Sequence, residues 1–233
     1  MRVAQGVAHP LDNPLWSALT GPQAHLAVRH GRAARFPADI SPFATVVDDG
    51  WADLAVLAGG GFVVVPAAPD EPPPGWELAG AIPGVQMDGT ALDVGADAEA
   101  VRLGPADVPE MLELVARTEP GPFLPRTIVL GTYLGLRRGG ALVAMAGERM
   151  RPPGWSEISA VCTDPAYRGQ GLAGRLVRAV GAVIRERGDV PFLHAAASNA
   201  GGIRLYERLG FTLRRELLFA ALQVVAPDRA QVR

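Results

Sequence analysis

The sequence predicts an α/β fold with a mixed central sheet, and the arrangement of the second half of the chain carries this assignment. Ile158–Thr163 is a run of β-branched and small apolar residues, which is typical of a buried strand. The strand ends at Asp164 and Pro165, because proline has no N–H to give to a sheet. A helical apolar period then follows at Leu172, Leu176, Val177, Val180 and Ile184.

The turn between this strand and this helix has the composition of a phosphate-binding site. It consists of Arg168, Gly169, Gln170, Gly171, Leu172, Ala173 and Gly174. Glycine permits a tight turn and a close approach by a ligand. The first N–H groups of a helix have no internal partner and lie at the positive end of its dipole. A phosphate-bearing cofactor is therefore one interpretation, and an ordinary strand–helix connection is the other.

Two familiar nucleotide-binding patterns are absent from this turn. It lacks the GxGxxG pattern of dinucleotide-binding folds, and it lacks the Lys-Ser/Thr pair of a P-loop. The whole chain contains no lysine, so lysine chemistry within the protein is excluded.

Two sequence blocks resemble the GNAT acetyltransferase superfamily. Arg168, Gly171 and Ala173 fit the family signature [Gln/Arg]-x-x-Gly-x-[Gly/Ala], and residues 198–211 (SNAGGIRLYERLGF) are similar to its closing Asn-x6-Tyr-x3-Gly-Phe segment. The resemblance covers about residues 100–220. It implies that the turn binds the pyrophosphate of acetyl-CoA (coenzyme A). It also implies that two parallel strands, here Ile158–Thr163 and Phe192–Ala197, splay apart to admit the pantetheine arm.

The domain organisation predicted from the sequence has two units and a tail. Residues 1–98 are interpreted as a smaller α/β unit that ends in an acidic linker from Gly89 to Ala98, residues 99–223 as the catalytic GNAT unit, and residues 224–233 as a C-terminal tail. This layout resembles glycine N-acyltransferase-like proteins, so the first unit is expected to be a degenerate GNAT-like domain.

Local signals predict the individual elements of both units. In the first unit, Asp12 or Asn13 caps a helix that reaches Leu19, and a glycine run ends a second helix. The remaining predictions are strands at His25–Arg29, Ala33–Phe36, Phe62–Val65, Val85–Met87 and Val101–Leu103, the helix Trp51–Leu57, the helix Pro105–Thr118, a hairpin from Tyr133 to Ala146, the helix Gly201–Leu209 and a final strand Leu213–Gln223.

The charge of the chain is unevenly distributed between its halves. Residues 1–98 hold 4 arginines and 11 acidic residues, which gives −7, and residues 99–233 hold 18 and 13, which gives +5. The positive half carries the glycine-rich turn, which suits an anionic cofactor. No dense basic run indicates a nucleic-acid partner, and no apolar run reaches the ~18 residues of a membrane helix.

Cysteine usage and the N-terminal sequence predict a cytoplasmic protein. The segment MRVAQGVAHPLDNP lacks an apolar signal core, and Cys162 is the only cysteine. A disulfide within the chain and a cysteine-based metal site are therefore excluded, and we expect no metal. Whether the chain is a monomer or a homodimer stays open.

The resemblance also assigns roles to side chains near the predicted cofactor. Tyr206 lies where the family places the general acid that protonates the leaving thiolate, and packing of its helix on the sheet is the alternative role. Asn199 is expected to cap that helix and to bond the pantetheine arm. Backbone groups of Val161, Cys162 and Thr163 are expected to pair with the same arm, while the Cys162 thiol is expected to be an inert buried group.

The general base has two candidates and a third possibility. His194 lies five residues before Asn199, where N-terminal-amine acetyltransferases of the superfamily can hold a carboxylate base, and a neutral imidazole can do the same work. Glu157, at the start of the other splayed strand, is its rival, and a chain of water molecules is the third possibility. The alternative role of His194 is that of a hydrogen-bonded core residue, and the alternative for Glu157 is a solvated strand end. Arg126, Arg137 and Arg149 are candidates to meet a carboxylate of the acceptor.

The resulting function is acetyl-CoA-dependent transfer of an acetyl group to a primary amine. The acceptor is a small molecule, an amino-acid-like compound or a peptide N-terminus. Two alternatives stay open: transfer of a longer acyl group to an amino acid, and a CoA-binding sensor or scaffold without catalysis.

Overall fold

The computed structural model describes residues 9–225, and most of its strands lie in one mixed sheet. The strands are β1 (Val28–His30), β2 (Ala33–Arg35), β3 (Ala44–Val46), β4 (Phe62–Pro66), β5 (Trp76–Asp88), β6 (Val101–Arg102), β7 (Tyr133–Arg138), β8 (Ala141–Glu148), β9 (Trp155–Thr163), β10 (Val190–Ala196) and β11 (Thr212–Val224). The helices are α1 (Pro14–Leu19), α2 (Trp51–Ala58), α3 (Val108–Thr118), α4 (Leu172–Glu186) and α5 (Ala200–Arg208). The large sheet has the order β4-β11-β5-β10-β9-β8-β7-β6, and β1-β2-β3 form a small antiparallel sheet. The predicted mixed α/β fold is confirmed.

The two central parallel strands separate after a short paired segment. β9 and β10 pair from Trp155 with Val190 to Ile158 with Leu193. Beyond that point β9 continues against β8, and β10 continues against β5. The predicted splay therefore begins after Ile158, and it leaves the facing edges of the two strands without partners over their last residues.

A β-bulge lies on β9 directly beyond the start of the splay. Cys162 pairs with Met145 and Ser159 pairs with Gly147, so two residues of β9 stand opposite one residue of β8. Ala160, inside the bulge, has a φ of 53°, a left-handed conformation that costs an alanine about 1–2 kcal/mol. The bulge thus re-aims the backbone of β9 at the position where the cleft opens.

Helix α4 is held on the sheet by the apolar stripe that its sequence predicts. Leu172, Leu176, Val177, Val180 and Ile184 are each at most 2% exposed. Burial of such side chains contributes roughly 1.5–3 kcal/mol apiece. This packing fixes the N-terminal end of α4 beside the end of β9.

The large sheet crosses the predicted boundary at residue 98. β4 and β5 precede that residue, yet β5 pairs with both β10 and β11. The segment from Gly89 to Ala98 has no helix or strand, as expected of a linker. It nevertheless packs against α4: Leu92 lies so close to Gly181 that a Cβ at that position would come within 2.5 Å of it. The division into residues 1–98 and 99–223, and the degenerate GNAT-like nature of the first unit, stay predictions.

Three strands of the first half differ from the sequence-based expectation. The predicted strand His25–Arg29 is wrong over its first residues, because Ala24–Leu26 form a 3-10 turn and β1 begins only at Val28. β5 is far longer than the predicted Val85–Met87, and β3 was not predicted. The first part of β5, Glu77–Pro83, is exposed throughout and contains Gly80, so it lacks the alternation that marks a strand.

The predicted tail lies almost entirely outside the described residues, as does the start of the N-terminal segment on which the export prediction rests. Within residues 9–225, no helix is both long enough and apolar enough to cross a bilayer.

Candidate functional site

The turn before α4 presents a run of free backbone donors. No N–H group from Gly169 to Gly174 donates to a described residue, and Gly171, at the N-cap position, has no side-chain cap to satisfy them. Gly169 and Gly171 have φ values of 78° and 73°, which favour glycine strongly. A Cβ at either position would meet nothing within 4 Å, so the turn is open on its outer side.

Two arginines flank this turn: Arg168 precedes the glycines, and Arg175 follows them and is neutralised by a carboxylate. Arg168 is exposed, and within residues 9–225 its side chain makes one hydrogen bond, of 3.4 Å from Nε to the Thr163 carbonyl. Arg175, in the first turn of α4, is tied to Asp97 by two hydrogen bonds of 2.6 and 2.8 Å. The Arg175 guanidinium lowers the pKa of Asp97 to about 2. Arg168, which was predicted to bind the cofactor, therefore has a guanidinium without a carboxylate partner among the described residues.

The end of β9 leads directly into the turn. The Thr163 hydroxyl is buried there without a partner among residues 9–225. The neighbouring Cys162 thiol is buried, and burial raises its pKa to about 11, so it stays protonated near neutral pH. This environment fits the unreactive thiol expected from the sequence.

Helix α5 brings two predicted residues to the other side of the splay. The Asn199 side chain accepts a 2.9 Å hydrogen bond from the Gly202 N–H, so the predicted helix cap is confirmed. Tyr206 is 7% exposed and lies edge-on to Phe211 at 5.9 Å. Burial raises the pKa of Tyr206 to about 12, and its hydroxyl donates to no described residue. Tyr206 therefore has both a packing role and an unused O–H donor.

The two candidate bases are hydrogen-bonded to each other. Glu157 is fully buried, and its Oε1 lies 2.7 Å from Nδ1 of His194. Arg149 holds the same carboxylate through Nε and Nη2 at 2.8 and 2.5 Å, and the Met150 N–H adds a longer bond of 3.3 Å. Burial alone would raise the pKa of Glu157, but the charge of Arg149 and the hydrogen bonds from Arg149 and His194 lower it to about 2. The carboxylate is therefore ionised and fully occupied near neutral pH.

The second nitrogen of His194 is occupied as well. Nε2 lies 3.1 Å from the side-chain nitrogen of Gln86 on β5, and the His194 side chain is only 2% exposed. Phe192 and Phe219 stand edge-on to the ring at 5.6 and 5.5 Å. Neither candidate base therefore offers a free lone pair to the cleft in this conformation.

The three candidate arginines for an acceptor carboxylate are all paired within the chain. Arg126 contacts Asp39 at 2.9 Å, Arg137 contacts Asp107 and Glu110, and Arg149 contacts Glu157. The pair of Arg126 joins the loop after α3 to the loop before β3. An additional bond of 2.6 Å from Thr127 Oγ1 to the Ile40 carbonyl fastens the same two loops. These two contacts join the loop between β2 and β3 to the segment that follows α3.

Sequence reasoning missed Gln86 and the pairing of Arg149 with Glu157. Gln86 is fully buried between Val85 and Met87, so a polar residue inside an apolar strand was the available signal. The Arg149–Glu157 pair depends on how β8 and β9 align, and the register of two paired strands cannot be read from the sequence. The bulge at Ala160 had no sequence signal, because alanine is unusual at positive φ.

Comparisons with known proteins agree with this geometry. Residues 133–220 match the family model described as FR47-like protein. A structure of a GNAT-family protein from Novosphingobium aromaticivorans is 45% identical with a TM-score of 0.86, over 94% of this chain and 100% of that one. A GCN5-related N-acetyltransferase from Kribbella flavida has a TM-score of 0.59 at 17% identity, over 99% and 100% of the two chains, and shows the fold alone.

Part of the chain is also similar to an enzyme of named activity. The N-alpha-acetyltransferase RimI of Mycobacterium tuberculosis is 38% identical over 82 residues. The match covers 34% of this chain and 51% of RimI, so it spans about half the length of that relative.

Proposed function

Because the chain belongs to the GNAT family of acetyltransferases, we propose that it transfers an acetyl group from acetyl-CoA to a primary α-amine, such as a peptide N-terminus or an amino-acid-like compound. The observation that carries the proposal is the run of free N–H groups from Gly169 to Gly174 at the start of α4, beside two strands that splay apart.

The chain has groups that fit the cofactor at each end of this path. The open turn and Arg168 would hold its pyrophosphate, since backbone donors and a helix N-terminus favour phosphate. The Thr163 hydroxyl, buried without a partner, and the free edge of β9 would bond its amide-bearing arm. The bound cofactor supplies an activated acetyl thioester. A backbone N–H at the Ala160–Val161 bulge would stabilise charge on the carbonyl oxygen.

We propose that the acceptor's proton leaves through solvent rather than to a side chain. Glu157, with a pKa of about 2 and both oxygens bonded, is not basic enough near neutral pH. Both nitrogens of His194 are bonded. The water chain, which the sequence left open, is therefore better supported than either side chain.

The lack of a free base bears on the class of acceptor. An amine attacks only as the neutral form, and an α-amino group has a pKa of about 7.7–8.0 whereas a lysine side chain has one of about 10.4. Near pH 7.5 the neutral fraction of an α-amine is roughly two hundredfold larger. An enzyme that leaves deprotonation to solvent is therefore suited to α-amines, which agrees with the name of the RimI relative.

Tyr206 is proposed as the donor to the leaving sulfur. With its pKa raised to about 12 the phenol keeps its proton at any working pH. Full transfer of that proton to a thiolate is uphill, so we assign Tyr206 a hydrogen bond that strengthens as charge develops on sulfur. Replacement by phenylalanine keeps the packing against Phe211 and removes only the O–H.

The test is a thiol-release assay with acetyl-CoA and paired acceptors. One peptide has a free N-terminus and no lysine, and the other has a blocked N-terminus and one lysine. We expect turnover of the first and at least a hundredfold less of the second. Tyr206→Phe should reduce kcat by about 10²-fold with unchanged cofactor affinity. Equal rates for the two peptides would remove the α-amine assignment, and no thiol release with either, or with free amino acids, would contradict acetyl transfer.

A further inference from the structure

We propose that Gln86, supplied by the first half of the chain, is a positioning residue that fixes His194 in its neutral Nδ1–H tautomer. The inference comes from a chain of hydrogen bonds between side chains of neighbouring strands. Arg214 bonds to Gln86, Gln86 bonds to His194, and His194 bonds to Glu157. The imidazole is then neutral with both of its nitrogens hydrogen-bonded inside the protein, so it does not act as the base.

Two independent partners determine which way the Gln86 amide points. Its Oε1 accepts a 2.8 Å bond from Nη1 of Arg214, and its Nε2 donates a 3.1 Å bond to the Leu11 carbonyl. A flipped amide would set its NH₂ against a guanidinium, which only donates, and its oxygen against a carbonyl, which only accepts. The NH₂ group must therefore face Nε2 of His194.

The state of the imidazole follows from this orientation. An NH₂ group can only donate to Nε2, so Nε2 must carry a lone pair and no proton. The single ring proton is then on Nδ1, where the ionised Glu157 carboxylate accepts it at 2.7 Å. A doubly protonated ring would set an N–H against the amide donor and leave it unsatisfied in a buried site.

The charged groups of every neighbouring element are consistent with a neutral ring. β9 contributes Glu157, whose charge is matched by Arg149 from the end of β8. β11 contributes Arg214, which is paired with Asp12 of the segment before α1. β5 contributes the uncharged Gln86. The two ion pairs leave no net charge that would call for a cation on His194.

This arrangement gives the first half of the chain a function at the site. Gln86 lies on β5, and the Leu11 carbonyl and the Asp12 carboxylate belong to the N-terminal segment, so residues before position 98 hold the amide that occupies the lone pair of His194. The consequence of this contact for the reaction rests on the proposed acetyl transfer, whereas the tautomer of His194 does not.

The experiment is a long-range ¹H–¹⁵N correlation spectrum of the full chain with ¹⁵N-labelled histidine, without cofactor or acceptor, at about pH 7.5. The resonances of His194 are identified by their loss in His194→Gln. We expect a protonated Nδ1 and an unprotonated Nε2. A spectrum with the proton on Nε2, or on both nitrogens, would overturn the inference whether or not the protein acetylates any amine.

A substitution at Gln86 should reverse the tautomer of His194. In Gln86→Glu the new carboxylate accepts where the amide donated, so Nε2 should become protonated at the same pH, with a downfield-to-upfield shift of its ¹⁵N signal. Gln223→Glu, the same change at an exposed position of β11, should leave the wild-type pattern. An unprotonated Nε2 in folded Gln86→Glu would also contradict the proposal. If that variant does not fold, the wild-type spectrum still decides.

Discussion

Replacing Glu157 by glutamine removes the charge at the centre of the buried pair while keeping the side chain's size. In the native protein this carboxylate accepts two bonds from Arg149 and one from His194. These contacts lower the pKa of Glu157 from its ordinary value of 4.5 to about 2. Because each pKa unit corresponds to about 1.4 kcal/mol, the ionised form contributes about 3 kcal/mol to the free energy of unfolding near pH 7.

The sign of the pH dependence follows from the lowered pKa. The contribution is complete above the unfolded-state value of 4.5 and is lost as the pH falls toward about 2. Glu157→Gln should therefore be about 3 kcal/mol less stable than the wild type at pH 5–7. The gap between the two proteins should narrow steadily below a pH of about 4.5.

Urea unfolding, monitored at a series of pH values, measures both quantities. Glu113→Gln is the matched control, because Glu113 is exposed on α3 and has no ion pair with a described residue. A Glu157→Gln protein within about 0.5 kcal/mol of the wild type, or a gap that does not change with pH, would refute the reasoning.

Three further outcomes are expected. His194→Ala should lower stability but leave the acidic limb of the pH–rate profile tied to the pKa of the acceptor amine; if the limb disappears, His194 is the base after all. Ala160→Gly relieves the positive φ and should raise or preserve the free energy of unfolding, by up to about 1 kcal/mol, whereas a loss above 1 kcal/mol would show that the bulge is not strained. Competition between acetyl-CoA and longer acyl-CoAs should favour acetyl-CoA; preference for a long chain would support the acyl-transfer alternative.

Local sequence signals were sufficient for the second half of the chain. Glycines, a proline and an apolar helical period determine the strand–turn–helix of β9 and α4, and all of these signals lie within about 25 residues of one another. The order of elements from β6 to β11 was predicted for the same reason. Asn199 was identified as a cap because a capping side chain acts on its own helix.

Features that depend on strand pairing over long separations were not predictable in this way. Gln86 reaches His194 only because β5 inserts between β10 and β11, a pairing that joins residues over a hundred positions apart. Likewise, Glu157 has the sequence context of an exposed strand end. In the structure it is fully buried and paired with Arg149, whose guanidinium lies 4.6 Å from the ring of Phe43, directly before β3.

The central claim is that the Gly169–Gly174 turn binds acetyl-CoA, and calorimetric titration of the cofactor tests it most directly. The wild type should bind. Gly171→Glu should not, since a carboxylate there meets the phosphates and a side chain strains a φ of 73°. Gly188→Glu controls for charge and strain, because Gly188 has a φ of 84° just beyond the far end of α4 and a Cβ there meets nothing within 4 Å. Binding by wild type and Gly188→Glu but not Gly171→Glu is the predicted result. No binding by the wild type at millimolar cofactor, or equal binding by all three proteins, would contradict the account.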